Sequence, residues 1–210
     1  MGLEAECSVR FAGKKSLGKA RLEEKELLFR GAFRLKIPFA DIRKIEVRRG
    51  VLDLEFPEGR AAFELGAKAE AWAEKIRRPR PLIDKLGVKP GARVAVIGLD
   101  ALAPALLAEI EARAGQLLRG RLAKGCDLVL IAMSRREELE RLARCKEAVE
   151  PDGAVWVIWP KGGKAFREDD VRAAGPGAAL VDVKVVSVSA TLSGLKMMVP
   201  RALRAPRAKR

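Results

Sequence analysis

The hydrophobic period of this 210-residue chain changes once, near residue 80, and that change limits the folds open to it. Before it, apolar side chains recur at every second position. Phe33-Arg34-Leu35-Lys36-Ile37 and Leu52-Asp53-Leu54-Glu55-Phe56 set apolar residues on one side and charges on the other, and residues 45–48 and 61–65 repeat the pattern more weakly. A period of two is that of half-buried antiparallel strands. Gly13-Lys14-Lys15-Ser16, Gly31, Gly50 and Pro57-Glu58-Gly59 punctuate the strands as turns. Further strands at 4–11, 19–23 and 26–30 bring the set to about seven. Ala69, Trp72, Ala73 and Ile76 then share one face of a helix over 67–78, and Pro79 and Pro81 stop it.

Beyond Pro81 the apolar residues run continuously. Arg93-Val94-Ala95-Val96-Ile97-Gly98 and Asp127-Leu128-Val129-Leu130-Ile131-Ala132-Met133 read as strands covered on both faces. Between them a helix is predicted over 103–114, with Ala103, Leu106, Leu107 and Ile110 buried, then a weak strand over 116–122. Ser134 and Glu137 make the S-x-x-E capping box of a further helix lined by Leu139, Leu142 and Ala143. Pro151-Asp152-Gly153 turns the chain into a strand over 154–159, and Glu168, Asp169 and Asp170 favour a helix start, where the dipole welcomes acids. The end reads as a hairpin of 180–189 and 194–199. Alternating strand and helix implies a parallel sheet with right-handed crossovers. The expected organisation is a first domain over 1–78, a linker and turn over 79–91, a second domain over 92–200 and a basic tail over 201–210.

Seven short strands capped by one helix are the plan of the pleckstrin-homology-like barrel, and residues 18–76 resemble its bacterial members, with Ile37-Pro38-Phe39-Ala40-Asp41-Ile42 entering a strand. That resemblance implies an interaction module. The second half is similar in element order to Rossmann-like methyltransferases. Over 82–199 it more closely resembles an uncharacterised bacterial family, a domain of unknown function. The shared marks are Arg93–Gly98 as quoted, Asp127-Leu128-Val129-Leu130, Pro151-Asp152-Gly153-Ala154, Trp159-Pro160-Lys161, Leu180-Val181-Asp182-Val183-Lys184-Val185 and Ser193-Gly194-Leu195. Members often carry Trp where this chain has Leu192. The expected fold class is thus α+β followed by α/β: a small barrel with a C-terminal helix, then a Rossmann-like, mostly parallel sheet ending in an antiparallel hairpin.

Composition removes whole classes of chemistry. The chain has no histidine and no tyrosine, which excludes serine–histidine and cysteine–histidine catalysis and histidine-ligated zinc. Cys7, Cys126 and Cys145 are odd in number and far apart, so free thiols in a reducing cytoplasm are expected. Cys126 and Cys145 read as apolar fillers, although Arg144 and Lys146 beside Cys145 would lower its pKa at an exposed position. No apolar run approaches the roughly 20 residues of a membrane helix, and the acidic opening Met1–Glu6 reads as neither a secretory signal nor a myristoylation site.

In an open α/β sheet, ligands sit beyond the carboxyl ends of the strands. Gly98, Asp100, Trp159, Lys161, Lys164 and Ser193 are the candidate ligand-binding residues there. Two glycines and two lysines in Trp159-Pro160-Lys161-Gly162-Gly163-Lys164 suit an anion, with Trp159 placed to stack on a base or sugar; the spacing is not that of a P-loop. Yet only Gly98 stands where a nucleotide loop needs several glycines, and the expected second strand ends in Arg119-Gly120-Arg121 with no acid for ribose hydroxyls. The net charge is +14, and Arg201, Arg204, Arg207, Lys209 and Arg210 are the candidate anion-binding residues of the tail. The resulting expectation is a non-enzymatic binding or scaffold protein for an unknown protein or anionic partner, with no cofactor and no metal. The alternatives are a small-molecule or S-adenosylmethionine-dependent transferase with an atypical site at Lys161 and Lys164, and association with nucleic acid through the tail.

Overall fold

A computed structural model of the chain describes residues 3–204 and divides it into two units, Met1–Arg80 and Pro81–Arg210. In the first, β1 (Leu3–Phe11), β2 (Lys14–Leu22), β3 (Glu26–Arg30), β4 (Arg34–Pro38), β5 (Lys44–Arg48), β6 (Val51–Phe56) and β7 (Gly59–Glu64) form one antiparallel sheet. Its order is β4-β3-β2-β1-β7-β6-β5, so the first and last strands meet at the centre. The period of two buries Val9, Ala20, Phe29, Leu52, Leu54 and Phe63 on a common side. Helix α1 (Ala69–Arg77) turns Ala69, Trp72, Ala73 and Ile76 onto that side.

Two hairpins are set by left-handed turns. Phe11 pairs with Lys14 and Arg48 with Val51, leaving two-residue loops. Ala12 and Gly13 have φ of 49° and 75°, and Arg49 and Gly50 have 49° and 77°, the signs a type I′ turn demands. Glycine at position 50 is required twice over, because a Cβ there would also come 2.9 Å from the Cα of Gly66.

The expected closed barrel is corrected. β4 and β5 are the two edges of an open, curled sheet, and no ladder joins them among the described residues. Alternation tells which side of a strand is buried. Closure depends on strand tilt and stagger, which carry no sequence period.

In the second unit, β8 (Arg93–Ile97), β9 (Gln116–Arg119), β10 (Cys126–Ala132), β11 (Val149–Pro160), β12 (Val181–Ser187) and β13 (Leu192–Met198) form a sheet of order β12-β13-β11-β10-β8-β9. β9, β8, β10 and β11 are mutually parallel, while β13 runs antiparallel to both β11 and β12. The continuous apolar runs reflect burial on both faces. Val94, Val96, Leu130, Trp156 and Ile158 pack on one side, and Ala95, Val129, Ile131, Val157 and Trp159 on the other.

The expected Rossmann-like, mostly parallel sheet ending in an antiparallel hairpin is corrected too. The sheet is mixed, and the helices are short: α2 (Leu82–Leu86), α3 (Pro104–Arg113), α4 (Leu142–Ala148) and α5 (Glu168–Ala174). After β10 the first turns are 3-10, over Arg136–Arg141. Glu138, not Glu137, accepts the N–H groups of Ser134 and Arg135, at 2.7 and 3.0 Å. The capping register is therefore one residue later than the sequence pattern implied, and Leu142, Cys145 and Ala148 rather than Ala143 face inward. Residues 151–153, expected as a turn, lie within β11, whose pairing to β10 slips between Cys126 and Leu128. No described helix is long and apolar enough to cross a membrane.

Trp72 is 1% exposed and is the largest of the α1 side chains turned onto the first sheet. Trp72→Ala is expected to cost about 3–5 kcal/mol, read as a lowered denaturation midpoint for the first unit.

Candidate functional site

The chain steps from β8 to β9 on one side and then to β10 on the other, so the topological switch point lies between β8 and β10. The crevice at such a point is where open sheets take ligands. Gly98 stands at its lip with φ of 70°, the left-handed turn that lets the chain leave β8. Gly98 and Asp100 are exposed. Between them Leu99 is fully buried, in a cluster with Leu106, Leu107 and Ile110 of α3. Ala103 N–H closes the turn on Leu99 C=O at 2.9 Å. A bulky residue thus ties the turn after β8 into the core, where a nucleotide loop would carry further glycines.

The other residues foreseen at this edge are committed to the protein's own packing. Trp159 is only 5% exposed and lies edge-on to Phe166, 6.5 Å between ring centroids at 70°. It therefore does not present a face to a base or sugar. The Lys161 ammonium donates to Ser187 Oγ at 2.7 Å and to Ser189 C=O at 2.6 Å, and the Lys161 N–H donates to Thr191 C=O at 2.7 Å. These bonds tie the end of β11 to the β12–β13 turn. Ser193 sits between Trp159 and Ser187 in the ladders. Lys164 lies exposed in the loop that follows. The fold thus gathers Trp159, Lys161 and Ser193, while Gly98 and Asp100 belong to the turn after β8. In the tail, Arg204 Nε donates to Val199 C=O at 2.9 Å and Arg201 opens a 3-10 turn; Arg207, Lys209 and Arg210 lie outside the described residues.

A cleft of about 410 Å³ opens at the opposite, amino edge of the parallel strands. Gly87, Lys89 and Gly91 of the turn before β8, Asp127 of β10, Asp152 of β11 and Lys196 of β13 line it. Asp127 accepts the Arg93 N–H at 2.8 Å. Lys196 is half-buried, with no hydrogen bond or ion pair among the described residues. Desolvation chiefly, then Lys184, Arg204 and Lys89, hold its pKa below the ordinary lysine value. Lys184 is its partner across the ladder; that ammonium lies 5.7 Å from the centre of the Trp156 ring and donates to Lys85 C=O at 2.7 Å. Sequence reasoning missed this edge. The available signal was Gly87-Val88-Lys89-Pro90-Gly91, a lysine held between two turn glycines.

Cys7, Cys126 and Cys145 are buried. Burial pushes the Cys145 thiol up to about 11, with Arg141 pulling weakly the other way, so its basic sequence neighbours do not activate it. Among the described residues, no group of three His, Cys, Asp or Glu side chains is placed to hold a metal ion. Of the acidic run, Asp170 accepts the Arg167 N–H at the start of α5 and pairs with Arg136, both at 2.8 Å.

No family model matches the chain, and no curated protein matches it. Solved structures do. A SAM-dependent methyltransferase from Aquifex aeolicus is 17% identical, over 56% of this chain and 88% of its own, with a TM-score of 0.43. The fibrillarin pre-rRNA processing protein of Methanococcus jannaschii is 10% identical, over 76% and 98%, with a TM-score of 0.42. The O-methyltransferase NcsB1 of neocarzinostatin biosynthesis is 16% identical, over 64% of this chain and only 58% of its own, with a TM-score of 0.40. The chain's structural neighbours are thus methyltransferases and like proteins at low identity, and they assign no residue a role.

Two outcomes follow from the site chemistry. Lys161→Ala is expected to weaken the β12–β13 turn by about 1 kcal/mol, read as faster hydrogen exchange at the Leu192 amide. An unfolded thiol titrates near about 8.5, below the folded Cys145. Between about pH 9 and 11 the unfolded chain has lost a proton the folded chain keeps, so stability falls as pH rises. Cys145→Ala removes roughly 2–3 kcal/mol of that loss, measured by urea denaturation on either side of the window.

Proposed function

We propose that the protein is a non-enzymatic binding protein, its second unit keeping a sheet with a ligand-type switch point but using the carboxyl edge for packing. The burial of Leu99 directly after Gly98 carries this reading. A cofactor phosphate or carboxylate needs a glycine-rich turn whose backbone N–H groups it can approach closely, and here Gly98 is followed by a leucine that ties the turn into the core beside α3. The engaged Lys161 and the buried Trp159 support the same view, since neither is free to meet a ligand.

A transferase using S-adenosylmethionine is the competing reading, favoured by the switch point itself between β8 and β10. Calorimetry with S-adenosylmethionine and S-adenosylhomocysteine separates the two. The expected result is no saturable heat and no shift of the Gly98, Leu99 and Asp100 amides in NMR spectra. Saturable binding with shifts at those amides overturns the proposal in favour of the transferase.

A further inference from the structure

We propose that the cleft at the amino edge of the second sheet is a binding site for a phosphate monoester, held directly by Lys196 and Lys89 in the field of Lys184 and Arg204. The inference rests on reading the protein as a binding module and names the ligand class that module takes.

Three observations carry it. First, the cleft has a small-molecule scale: about 410 Å³ lies within the roughly 300–1,000 Å³ typical of ligand pockets. Second, Lys196 and Lys184 stand directly opposite each other in an antiparallel ladder. Like charges so placed are destabilising. Lys184 has a carbonyl and an aromatic face to satisfy it. Lys196, half-buried, has no side-chain hydrogen bond or ion pair among the described residues, and Lys89 and Arg204 add further positive charge to its surroundings. An unpaired ammonium costs free energy on burial unless an anion meets it. Third, the two carboxylates that line the cleft are engaged: Asp127 accepts the Arg93 N–H, and Asp152 has an interaction of its own, whereas the Lys196 ammonium has neither a hydrogen bond nor an ion pair among the described residues. The unmet charge at the Lys196 end of the cleft is therefore positive.

Charge count selects the ligand. A single carboxylate or a phosphodiester brings one negative charge to several cations. A phosphate monoester brings about −1.5 to −2 at neutral pH and three acceptor oxygens, enough to bridge two lysines. Lysine is a common point-charge partner for phosphate.

The test uses the full chain and inorganic phosphate as the monoester probe, with dimethyl phosphate standing for the diester of a lipid or a nucleic-acid backbone. Ionic strength is held constant with chloride. The expected result is saturable shifts of the Gly91, Gly153 and Lys196 amides with inorganic phosphate and none with dimethyl phosphate. Lys196→Gln and Lys89→Gln each weaken phosphate binding at least tenfold, and Lys164→Gln, at the far edge, leaves it unchanged. Lys89 is exposed, so its variant reports even where Lys196→Gln fails to fold. Absence of saturable shifts, equal binding of dimethyl phosphate, or equal weakening by Lys164→Gln overturns the proposal. None of these readings depends on the S-adenosylmethionine titration, so either can fail alone.

Discussion

The second unit is organised around one buried indole. Trp156 lies fully inside, on the strand at the middle of the sheet, and its Nε1–H donates to Leu86 C=O at 2.9 Å. A buried indole N–H without a partner is expensive, so this bond pins α2 and the turn after it against the sheet. Ile83, Leu86 and Val88 join the same apolar cluster as Val94, Leu130 and Trp156. Everything at the amino edge follows from that anchor. It brings the segment before β8 into the core, holds Gly87, Lys89 and Gly91 over the strand ends, and sets the ring beside which Lys184 lies.

The two edges of this sheet carry opposite consequences of close packing. At the carboxyl edge, side chains that look available in the sequence are drawn inward: Leu99 fills the turn, Trp159 meets Phe166, and Lys161 laces the hairpin. At the amino edge, the antiparallel return of β13 sets Lys196 opposite Lys184 on a face that is otherwise apolar. The cost of holding like charges there is borne by the rest of the core.

Local patterns proved readable wherever a single segment decides the outcome. The α1 face of Ala69, Trp72, Ala73 and Ile76 is visible from spacing alone, because a helix buries what recurs every three or four residues. The span of β3, Glu26–Arg30, was equally plain. The capping before β11 falls one residue later than the pattern implies, since Glu137 and Glu138 both offer a carboxylate and only the backbone's 3-10 geometry chooses between them. Residues 151–153 look like a turn by composition, and they lie within the span of β11 at the point where its pairing with β10 slips, between the Cys126–Val149 and Leu128–Ala154 pairs.

Residue order, then, dictated the alternation of β1 to β7, the two-sided burial of β8 and β10, and the exclusion of histidine chemistry, because each is a property of one segment or of composition. What lies side by side was settled by the folded sheets. Hydrogen bonding between strands distant in the chain left the first sheet open at β4 and β5, reversed β13 between β11 and β12, and brought Lys89, Lys184 and Lys196 to one edge. Lys89 stands about a hundred residues from Lys184 and Lys196 along the backbone, and a spacing that long leaves no periodic trace.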